Sequence, residues 1–391
     1  MTIPTDIQEK SLTRLIAFYL PQYHPIPEND EWWGKGFTEW TNVSKAKPLF
    51  PGHYQPQIPA DLGFYDLRLP EVREAQANLA REYGIHGFCY YHYWFNGRMI
   101  LERPFNEVLE SGKPDFPFCL CWANENWSRR WDGSEKEVLL EQNYDEYDPI
   151  EHIAWLEKAF RDPRYIRIDG KPVLLVYKAA EIHNIAEIIN QWRQYVKDQG
   201  YPDLYLCFVR TTAGSKLVEK SYFLNSGFDA HVDFQPDAYV LRRSKGEPMY
   251  GYLKTFAKRI IRRAISTTIN LTLTDYEWIV NRALNQQPSE CVTFPCIFPS
   301  WDNSPRRQGR NPHIFQNNDV KAYGDWLVKS IDKTRQYNYD ERIVFINAWN
   351  EWAEGCHLEP DIRNGRKFLE VTLNTLEKCN LNETPLSNKK V

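Results

Sequence analysis

Short runs of apolar residues recur along the chain at a spacing that suits strands separated by helices. Several of these runs are almost continuously apolar, as strands buried on both faces must be. Runs of this kind occupy residues 14–20, 87–93, 116–122, 173–177, 204–209, 228–232, 296–300 and 343–349. The pattern therefore predicts eight buried strands.

The segments between most of these runs repeat apolar residues three or four positions apart, which is typical of amphipathic helices. Residues 71–83 carry Val72, Ala75, Leu79 and Ala80 in this pattern, and a glycine follows as a stop signal. Further helices are predicted over residues 150–160, 185–196, 216–224 and 320–331. Strands and helices that alternate with short connections indicate βαβ units and a parallel sheet.

Eight such units favour a closed (β/α)8 TIM barrel, one domain over residues 14–375. An open, doubly wound sheet fits the same alternation, but the chain has no glycine-rich dinucleotide-binding turn. Residues 21–69 are predicted to form a long loop after the first strand. Residues 233–295 form an insertion between the sixth and seventh strands. The polar residues 376–391 are a predicted tail.

The composition is that of an ordinary globular protein, with 42% hydrophobic and 26% charged residues. The net charge of -4 provides no overall positive field for nucleic acid, so a nucleic-acid partner is not expected. Aromatic residues reach 15%, including 14 Trp and 23 Tyr, which indicates stacking surfaces in addition to a core.

The longest early apolar run, residues 15–20, is too short for a membrane span of about 20 residues or a signal-peptide core of about 7–15. We therefore expect a cytoplasmic protein. The eight cysteines include no C-x-x-C pair and no zinc spacing, so we expect buried thiols and no metal or other cofactor.

The insertion contains a basic amphipathic segment, residues 252–265. It carries an apolar face and five lysines and arginines elsewhere. One interpretation is a helix packed on the barrel with a solvated face. The other is a helix that contacts an anionic membrane surface or a lipid-linked phosphate.

In barrels of this type the functional residues follow the carboxyl ends of the strands. Aromatic, amide and carboxylate residues recur there, and the loop after the first strand adds Glu39 and Trp40. Aromatic faces stack on sugar rings, while amides and carboxylates bind hydroxyl pairs. The alternative, that the aromatics merely cap the barrel, does not explain the carboxylates. The other candidate sugar-binding residues are Tyr19, Tyr23, His24, Tyr91, His92, Tyr93, Trp94, Trp122, Asn124, Glu125, Asn126, Trp127, Trp301, Asp302, Trp349 and Asn350.

The strongest local signal is the pair Glu351 and Glu354, three residues apart after the eighth strand. Glycosidic cleavage needs one protonated carboxyl group at the leaving oxygen and a second that acts as base or nucleophile. Two close carboxylates raise the pKa of one of them, which supplies this asymmetry. The same spacing is also common on solvated helix faces. Glu125 is a third candidate for a catalytic carboxyl group.

Four blocks of sequence resemble the WbsX-type proteins, which are related to glycoside hydrolase family 99, the endo-α-mannosidases and endo-mannanases. The blocks are FYLPQYH at 18–24, WGKGFTEW at 33–40, WANENW at 122–127 and WNEWAEG at 349–355. The resemblance to the WbsX type covers residues 14–375. The resemblance to family 99 itself is limited to the aromatic first strand and the last block.

The resemblance implies a (β/α)8 barrel, an α-mannoside-like substrate and a retaining mechanism. By that likeness Glu351 would take a proton from the sugar 2-hydroxyl, a 1,2-anhydro sugar would form, and Glu354 would act as acid and then base. WbsX-type proteins occur in gene sets for O-antigen and other surface polysaccharides and are commonly labelled glycosyltransferases. The loop after the first strand and the insertion differ from family 99, so substrate specificity does not transfer.

Three functions remain open. The first is a retaining glycoside hydrolase or transglycosylase acting on a surface polysaccharide or its lipid-linked precursor. The second is a glycosyltransferase that uses a sugar nucleotide, although no Asp-x-Asp motif is present. The third is a glycan-binding protein without catalysis. The basic residues that would hold a nucleotide are Arg129, Arg130, Arg306, Arg307 and Arg310. The last three either lie in a solvated loop or bind acidic sugars or phosphate.

Overall fold

The computed structural model describes residues 13–129, 134–210, 224–236, 271–285, 291–307 and 311–381. Its centre is an eight-stranded parallel barrel. The barrel strands are β1 Arg14–Tyr19, β2 Gly87–Phe95, β3 Phe118–Trp122, β4 Lys171–Val176, β5 Tyr205–Val209, β6 Ala230–Asp233, β7 Val292–Ile297 and β8 Ile343–Ile346.

Each barrel strand pairs in parallel with the next one, and β8 pairs with β1, which closes the cylinder. The predicted barrel is confirmed, because an open sheet would leave β1 without one of its two neighbours. All residues of β3, β5 and β8 are buried, since one face of each strand fills the barrel and the other meets the helices. The continuous apolar runs follow from this double burial.

Ten α-helices lie wholly within the described ranges, and the four predicted helices that lie wholly within those ranges are confirmed as α3, α5, α6 and α9. The predicted helix over 216–224 lies almost entirely outside the described residues. The helices are α1 Pro27–Trp33, α2 Glu39–Lys45, α3 Pro70–Glu82, α4 Arg103–Ser111, α5 Pro149–Phe160, α6 Ile185–Asp198, α7 Tyr276–Leu284, α8 Ser304–Arg307, α9 Val320–Thr334 and α10 Lys367–Leu381.

The segment between β1 and α3 is more ordered than the predicted long loop, because it contains α1 and α2. Each has seven residues, too few for an apolar repeat to be visible. Their start signals are nevertheless present: a proline begins α1, and Thr38 and Thr41 form a reciprocal capping box at α2. This segment contacts the turn after β8 and thereby covers part of the barrel mouth.

The insertion is described only in part. A strand Thr272–Asp275 pairs in parallel with His313–Gln316, and α7 follows directly. The basic segment 252–265 lies outside the described residues. Among the helices of the described ranges none is both long and apolar enough to cross a membrane. The eight cysteines all lie in the described ranges and form no disulfide there; seven are buried and Cys291 is half-buried.

Candidate active site

A cavity of about 360 Å³ opens at the carboxyl ends of the barrel strands. Its walls come from β2 itself and from the segments that follow β1, β3, β4, β6, β7 and β8. The lining residues are Leu20, Gln22, Trp33, Tyr91, Tyr93, Ala123, Glu125, Asn126, Trp127, Ser128, Leu139, Tyr177, Lys178, Phe234, Pro236, Trp301, Asn303, Arg306, Arg307, Asn347, Glu351 and Glu354.

The turn after β8 brings Glu351 and Glu354 to this cavity. Asn350–Glu351 and Cys356–His357 form a short antiparallel ladder, and Trp352–Glu354 is a single 3-10 turn between them. Glu351 precedes this turn and Glu354 ends it, and both carboxylates lie on the same side, because both line the cavity and contact one guanidinium. Here the spacing of three reflects this turn and not a solvated helix face.

Neighbouring loops hold this turn in place. The Tyr23 hydroxyl donates to the Asn350 carbonyl at 2.5 Å and accepts from the backbone N–H of Trp352 at 3.1 Å. On the other side, the backbone N–H of Asp302 donates to the Glu354 carbonyl at 2.7 Å. The loops after β1 and β7 therefore position the turn from both sides.

Arg306 joins the two glutamates. Its Nη1 lies 2.8 Å from Oε1 of Glu354, and its Nη2 lies 2.9 Å from Oε2 of Glu351. The same Nη2 lies 3.3 Å from Oε1 of Glu39. One guanidinium thus gathers three carboxylates at the cavity. The interpretation of Arg306 as a solvated loop residue is wrong, because only 17% of its side chain is exposed.

The charges of this cluster are unequal, since one cation faces three acids. Burial raises the pKa of Glu351 to about 8, an effect that Arg306 opposes and that Glu354 and Glu39 increase. Burial also raises the pKa of Glu39, again against Arg306. Near neutral pH the cluster therefore retains at least one proton on a carboxyl group.

Aromatic rings form the other walls. Tyr91 lies edge-on to Tyr177 with ring centroids 6.1 Å apart, and Tyr93 lies edge-on to Trp127 at 5.3 Å. Trp301 lines the cavity from the segment after β7. Such rings offer flat apolar faces beside the carboxylates, an arrangement suited to a sugar ring.

A second charged pair lines the cavity after β3 and β4. Nζ of Lys178 lies 3.6 Å from Oε1 of Glu125. Behind them, Asn124 donates to the Lys178 carbonyl at 3.0 Å and accepts from its backbone N–H at 2.7 Å. Asn124 therefore connects the ends of two strands.

Eight of the twenty residues predicted for the site line the cavity: Tyr91, Tyr93, Glu125, Asn126, Trp127, Trp301, Glu351 and Glu354. The structure places the other twelve in the walls behind it: Tyr19, Tyr23, His24, Glu39, Trp40, His92, Trp94, Trp122, Asn124, Asp302, Trp349 and Asn350. Eleven of these are buried, and Trp40 is half-buried.

Strand periodicity explains several of these displaced residues. Successive strand residues alternate between the barrel interior and the helices, so Tyr91 and Tyr93 reach the cavity while His92 and Trp94 do not. His92 stacks on Trp155 at 4.6 Å and contacts His152. Trp94 and Trp122 join this layer, where the indole N–H of Trp122 donates to the Trp94 carbonyl.

The same alternation turns Tyr19 away from the cavity, and Trp349, which lies beyond the end of β8, does not line the cavity either. The Tyr19 hydroxyl donates to Gln76 on α3, and Trp349 packs on Phe88 with ring centroids 5.2 Å apart. Asn350 bonds the backbone N–H and carbonyl of Leu20. These contacts hold the wall together.

Three further predicted residues stabilise the covering loops. His24 bonds the Pro21 carbonyl at 2.9 Å, and the Trp40 indole donates to the Tyr65 carbonyl at 2.7 Å. Asp302 accepts hydrogen bonds from two side chains, His53 and Gln55.

Sequence reasoning missed Arg306 as a partner of the glutamate pair, and it also missed Tyr177 and Lys178. Tyr177 ends the fourth predicted strand and Lys178 follows it directly, so a systematic inspection of every strand end would have found them. No local pattern marks Arg306, which belongs to the four-residue helix α8. In the part of the chain that the structure describes, no group of three or more His, Cys, Asp or Glu could hold a metal ion.

The fold and the cavity define the class of protein, a (β/α)8 barrel with paired glutamates and aromatic rings at its mouth. The particular family follows from the sequence comparison. The model of the family described as "Glycosyltransferase WbsX" matches residues 15–372, and the chain belongs to that family.

A curated relative, the uncharacterized protein WxcX of Xanthomonas campestris pv. campestris (strain B100), is 40% identical over 378 residues. The match covers 96% of this chain and 51% of that protein. The chain thus spans about half the length of the curated relatives it matches.

Solved structures share the fold at low sequence identity. A glycoside hydrolase-like protein is 15% identical with a TM-score of 0.56, and the match covers 94% of both chains. The GH99 endo-α-mannosidase of Bacteroides thetaiotaomicron, in complex with bis-tris-propane, is 12% identical with a TM-score of 0.54. That match covers 94% of this chain and 98% of the mannosidase.

Proposed function

We propose that this protein is a retaining glycoside hydrolase or transglycosylase that acts on an α-mannoside-like glycan. The observation that carries the proposal is the convergence of Glu351 and Glu354 on one guanidinium at the cavity. The aromatic walls support a sugar ring as the occupant. The names of the family and of the barrel-sharing mannosidase agree with a glycan substrate.

The proposed chemistry uses the sugar's own 2-hydroxyl as nucleophile. Glu351 accepts the 2-hydroxyl proton while that oxygen attacks the anomeric carbon, and Glu354 donates its proton to the departing glycosidic oxygen. A 1,2-anhydro sugar results. Water then adds to the anomeric carbon as Glu354 takes the water proton, and Glu351 returns its proton to the 2-oxygen.

Burial makes Glu351 a strong base in its carboxylate form, which becomes the major form only above about pH 8. A carboxylate whose pKa is raised to about 8 binds a proton more strongly than an exposed one, which favours removal of a hydroxyl proton. Glu354 is more exposed, at 20% of its side chain, as a group that exchanges protons with leaving oxygen and water requires.

The family description favours a second candidate, a glycosyltransferase that uses a sugar nucleotide. Arg306, one of the basic residues available for phosphate, is engaged by three carboxylates, which argues against a diphosphate at that position. Calorimetry with a panel of nucleotide sugars separates the candidates, since only the transferase should bind them. The third candidate, a glycan-binding protein without catalytic activity, would bind glycans and form no product.

The decisive experiment replaces each glutamate separately. We expect Glu351→Gln and Glu354→Gln to lower the turnover of mannose-type oligosaccharides by about 1,000-fold each, because each change removes a proton-transfer step. A 2-deoxy analogue of the substrate should resist the wild-type enzyme. Glu157→Gln is the control, since Glu157 is a buried glutamate on α5 paired with Arg161 away from the cavity.

Wild-type rates in both variants would contradict the proposal. Added sugar acceptors distinguish transfer from hydrolysis by their products.

The proposal extends to surface polysaccharide, such as O-antigen, and its lipid-linked precursor. Sedimentation with anionic vesicles tests contact with the membrane surface in which a lipid-linked precursor would lie.

A further inference from the structure

Glu39 lies at the start of α2, and its side chain is fully buried. A carboxylate removed from water costs several kcal/mol unless a cation or hydrogen-bond donors compensate it. The cation that it faces is Arg306, at 3.3 Å, and the side chain of Asn42 on the same helix also opposes the rise of its pKa. Because Glu39 does not line the cavity, a sugar there would not touch it, and Glu39 acts through its charge on Glu351 and through its ion pair with Arg306.

We propose that Arg306 and Glu39 form a positioning pair: Arg306 holds the carboxyl groups of Glu351 and Glu354 side by side, and Glu39 offsets the charge of Arg306. The inference rests on the proposed function of the two glutamates. It assigns roles to a basic residue that the sequence left undecided and to an acidic residue that the sequence suggested as a sugar contact.

The geometry of the guanidinium supports the first half of the proposal. Its two terminal nitrogens point in fixed directions, so Glu354 at Nη1 and Glu351 at Nη2 are held at a defined separation. An ammonium group is a single point charge and cannot impose that separation. Helix α8, which carries Arg306, also contacts both α2 and the turn of Trp352–Glu354.

The number of charges in the cluster supports the second part of the proposal, that Glu39 offsets the charge of Arg306. An arginine bound to the catalytic pair alone would stabilise both groups as carboxylates and prevent either from serving as an acid. Glu39 shares Nη2 with Glu351, so it competes for that cation. The shared cation thus leaves the pair able to hold and release one proton.

The other ionisable groups that interact with the pair do not offset Arg306. Burial raises the pKa of each tyrosine and of the thiol well above its usual value, so these groups are neutral in the assay range, and Glu125 is paired with Lys178. These groups are Tyr23, Tyr91, Tyr93, Glu125, Tyr177 and Cys356.

The test is the pH dependence of kcat/KM in three variants. Glu39→Gln should move the limb governed by the pair to lower pH, and Arg306→Met should move it to higher pH, each by about one unit. Arg306→Lys should leave the limb near its wild-type position but lower kcat at least tenfold, an order-of-magnitude expectation for a lost positioning contact. Opposite shifts would not arise from a general loss of stability.

Arg193→Met and Glu157→Gln are matched controls, because both residues form buried or half-buried ion pairs away from the cavity. They should change the free energy of unfolding and leave the pH limb unchanged. Thermal unfolding shows whether each variant is folded. If either Glu39→Gln or Arg306→Met does not fold, the pH limb of the other one and the kcat of Arg306→Lys decide whether the inference holds. Limbs and kcat values equal to those of the wild type in the folded variants overturn the inference.

The two proposals fail differently. If Glu351→Gln and Glu354→Gln are fully active, the proposed function is wrong, and the positioning pair is wrong with it. If both are inactive while the Arg306 and Glu39 variants behave as wild type, only the positioning pair is wrong.

Discussion

Two buried glutamates eight residues apart show how residue environment decides role. Glu359 is surrounded by neutral donors and accepts from the Tyr65 hydroxyl, the Trp352 indole and the Gln76 amide. Burial raises its pKa to about 7, and these hydrogen bonds oppose the rise. Glu351 instead faces the cavity beside Arg306 and two acids. Glu359 therefore stabilises the wall, while Glu351 can exchange protons with a ligand.

The direction of the pH dependence tests the role of Glu351. If it is the base, only its carboxylate form is active, and kcat/KM should rise with pH through a limb near pH 8. The measurement is a pH profile of kcat/KM with wild type, corrected for stability at each pH. An activity that instead falls through pH 8 would mean that Glu351 is the acid and that the proposed roles are reversed.

At the scale of elements, the turn after β8 depends on one glycine. Gly355 adopts a left-handed conformation with φ of 57°. A Cβ there would approach Nε2 of Gln57 to 2.8 Å and the backbone N of Asp302 to 3.0 Å. The turn that carries Glu354 is thus packed directly against the segment after β7, and no larger residue fits without displacing it.

We expect Gly355→Ala to lower kcat at least tenfold and the free energy of unfolding by about 1–3 kcal/mol, because the added methyl strains the turn and displaces Glu354. Gly87→Ala is the matched control. Its Cβ would meet the Pro117 carbonyl oxygen at 2.6 Å, at the start of β2 and far from the barrel mouth.

Gly87→Ala should therefore destabilise the protein while the folded fraction keeps the wild-type kcat. Kinetics and urea unfolding of the two variants provide the comparison. A Gly355→Ala enzyme with normal kcat would show that the turn tolerates displacement and would argue against a tightly positioned Glu354.

At the scale of the whole molecule, the barrel strands and the helices around them form two layers. The interface between these layers contains a pair of buried histidines. His92 on β2 contacts His152 on α5 at 3.0 Å, and His152 also bonds the Tyr147 hydroxyl. Burial lowers the pKa of His92 to about 3 and that of His152 well below its usual value. The folded molecule therefore keeps both rings neutral.

This pair predicts a loss of stability in acid. Between pH 6.5 and pH 3 the unfolded chain binds a proton at His92 that the folded chain does not, so stability falls as the pH falls. The contribution of His92 to this loss is about 2 kcal/mol between pH 7.5 and pH 5. We expect His92→Gln to be less stable than wild type at pH 7.5. Between pH 7.5 and pH 5, however, its free energy of unfolding should fall by about 2 kcal/mol less than that of wild type.

Urea unfolding at pH 7.5, 6.5, 5.5 and 5 measures the difference. His183→Gln is the control, because His183 is exposed. Equal losses of stability in wild type and His92→Gln would show that the buried pair does not govern the acid response.

The sequence alone determined the eight-stranded barrel, four of its helices, and the Glu351–Glu354 pair at the end of β8. These features are readable because they are local. A strand buried on both faces must be continuously apolar, and a helix on the barrel must repeat its apolar residues every three or four positions. Family membership followed from short motifs that are local in the same way.

Only the tertiary structure decided which strand-end residues reach the cavity and what holds the glutamates. A strand that is apolar on both faces gives no local sign of which face meets the barrel interior, so Tyr91 and His92 are indistinguishable in sequence. The contacts of Arg306 join segments hundreds of residues apart, Glu39 at one end and Glu354 at the other. Such contacts depend on closure of the barrel, because only the closed cylinder brings the loops after β1, β7 and β8 to one opening.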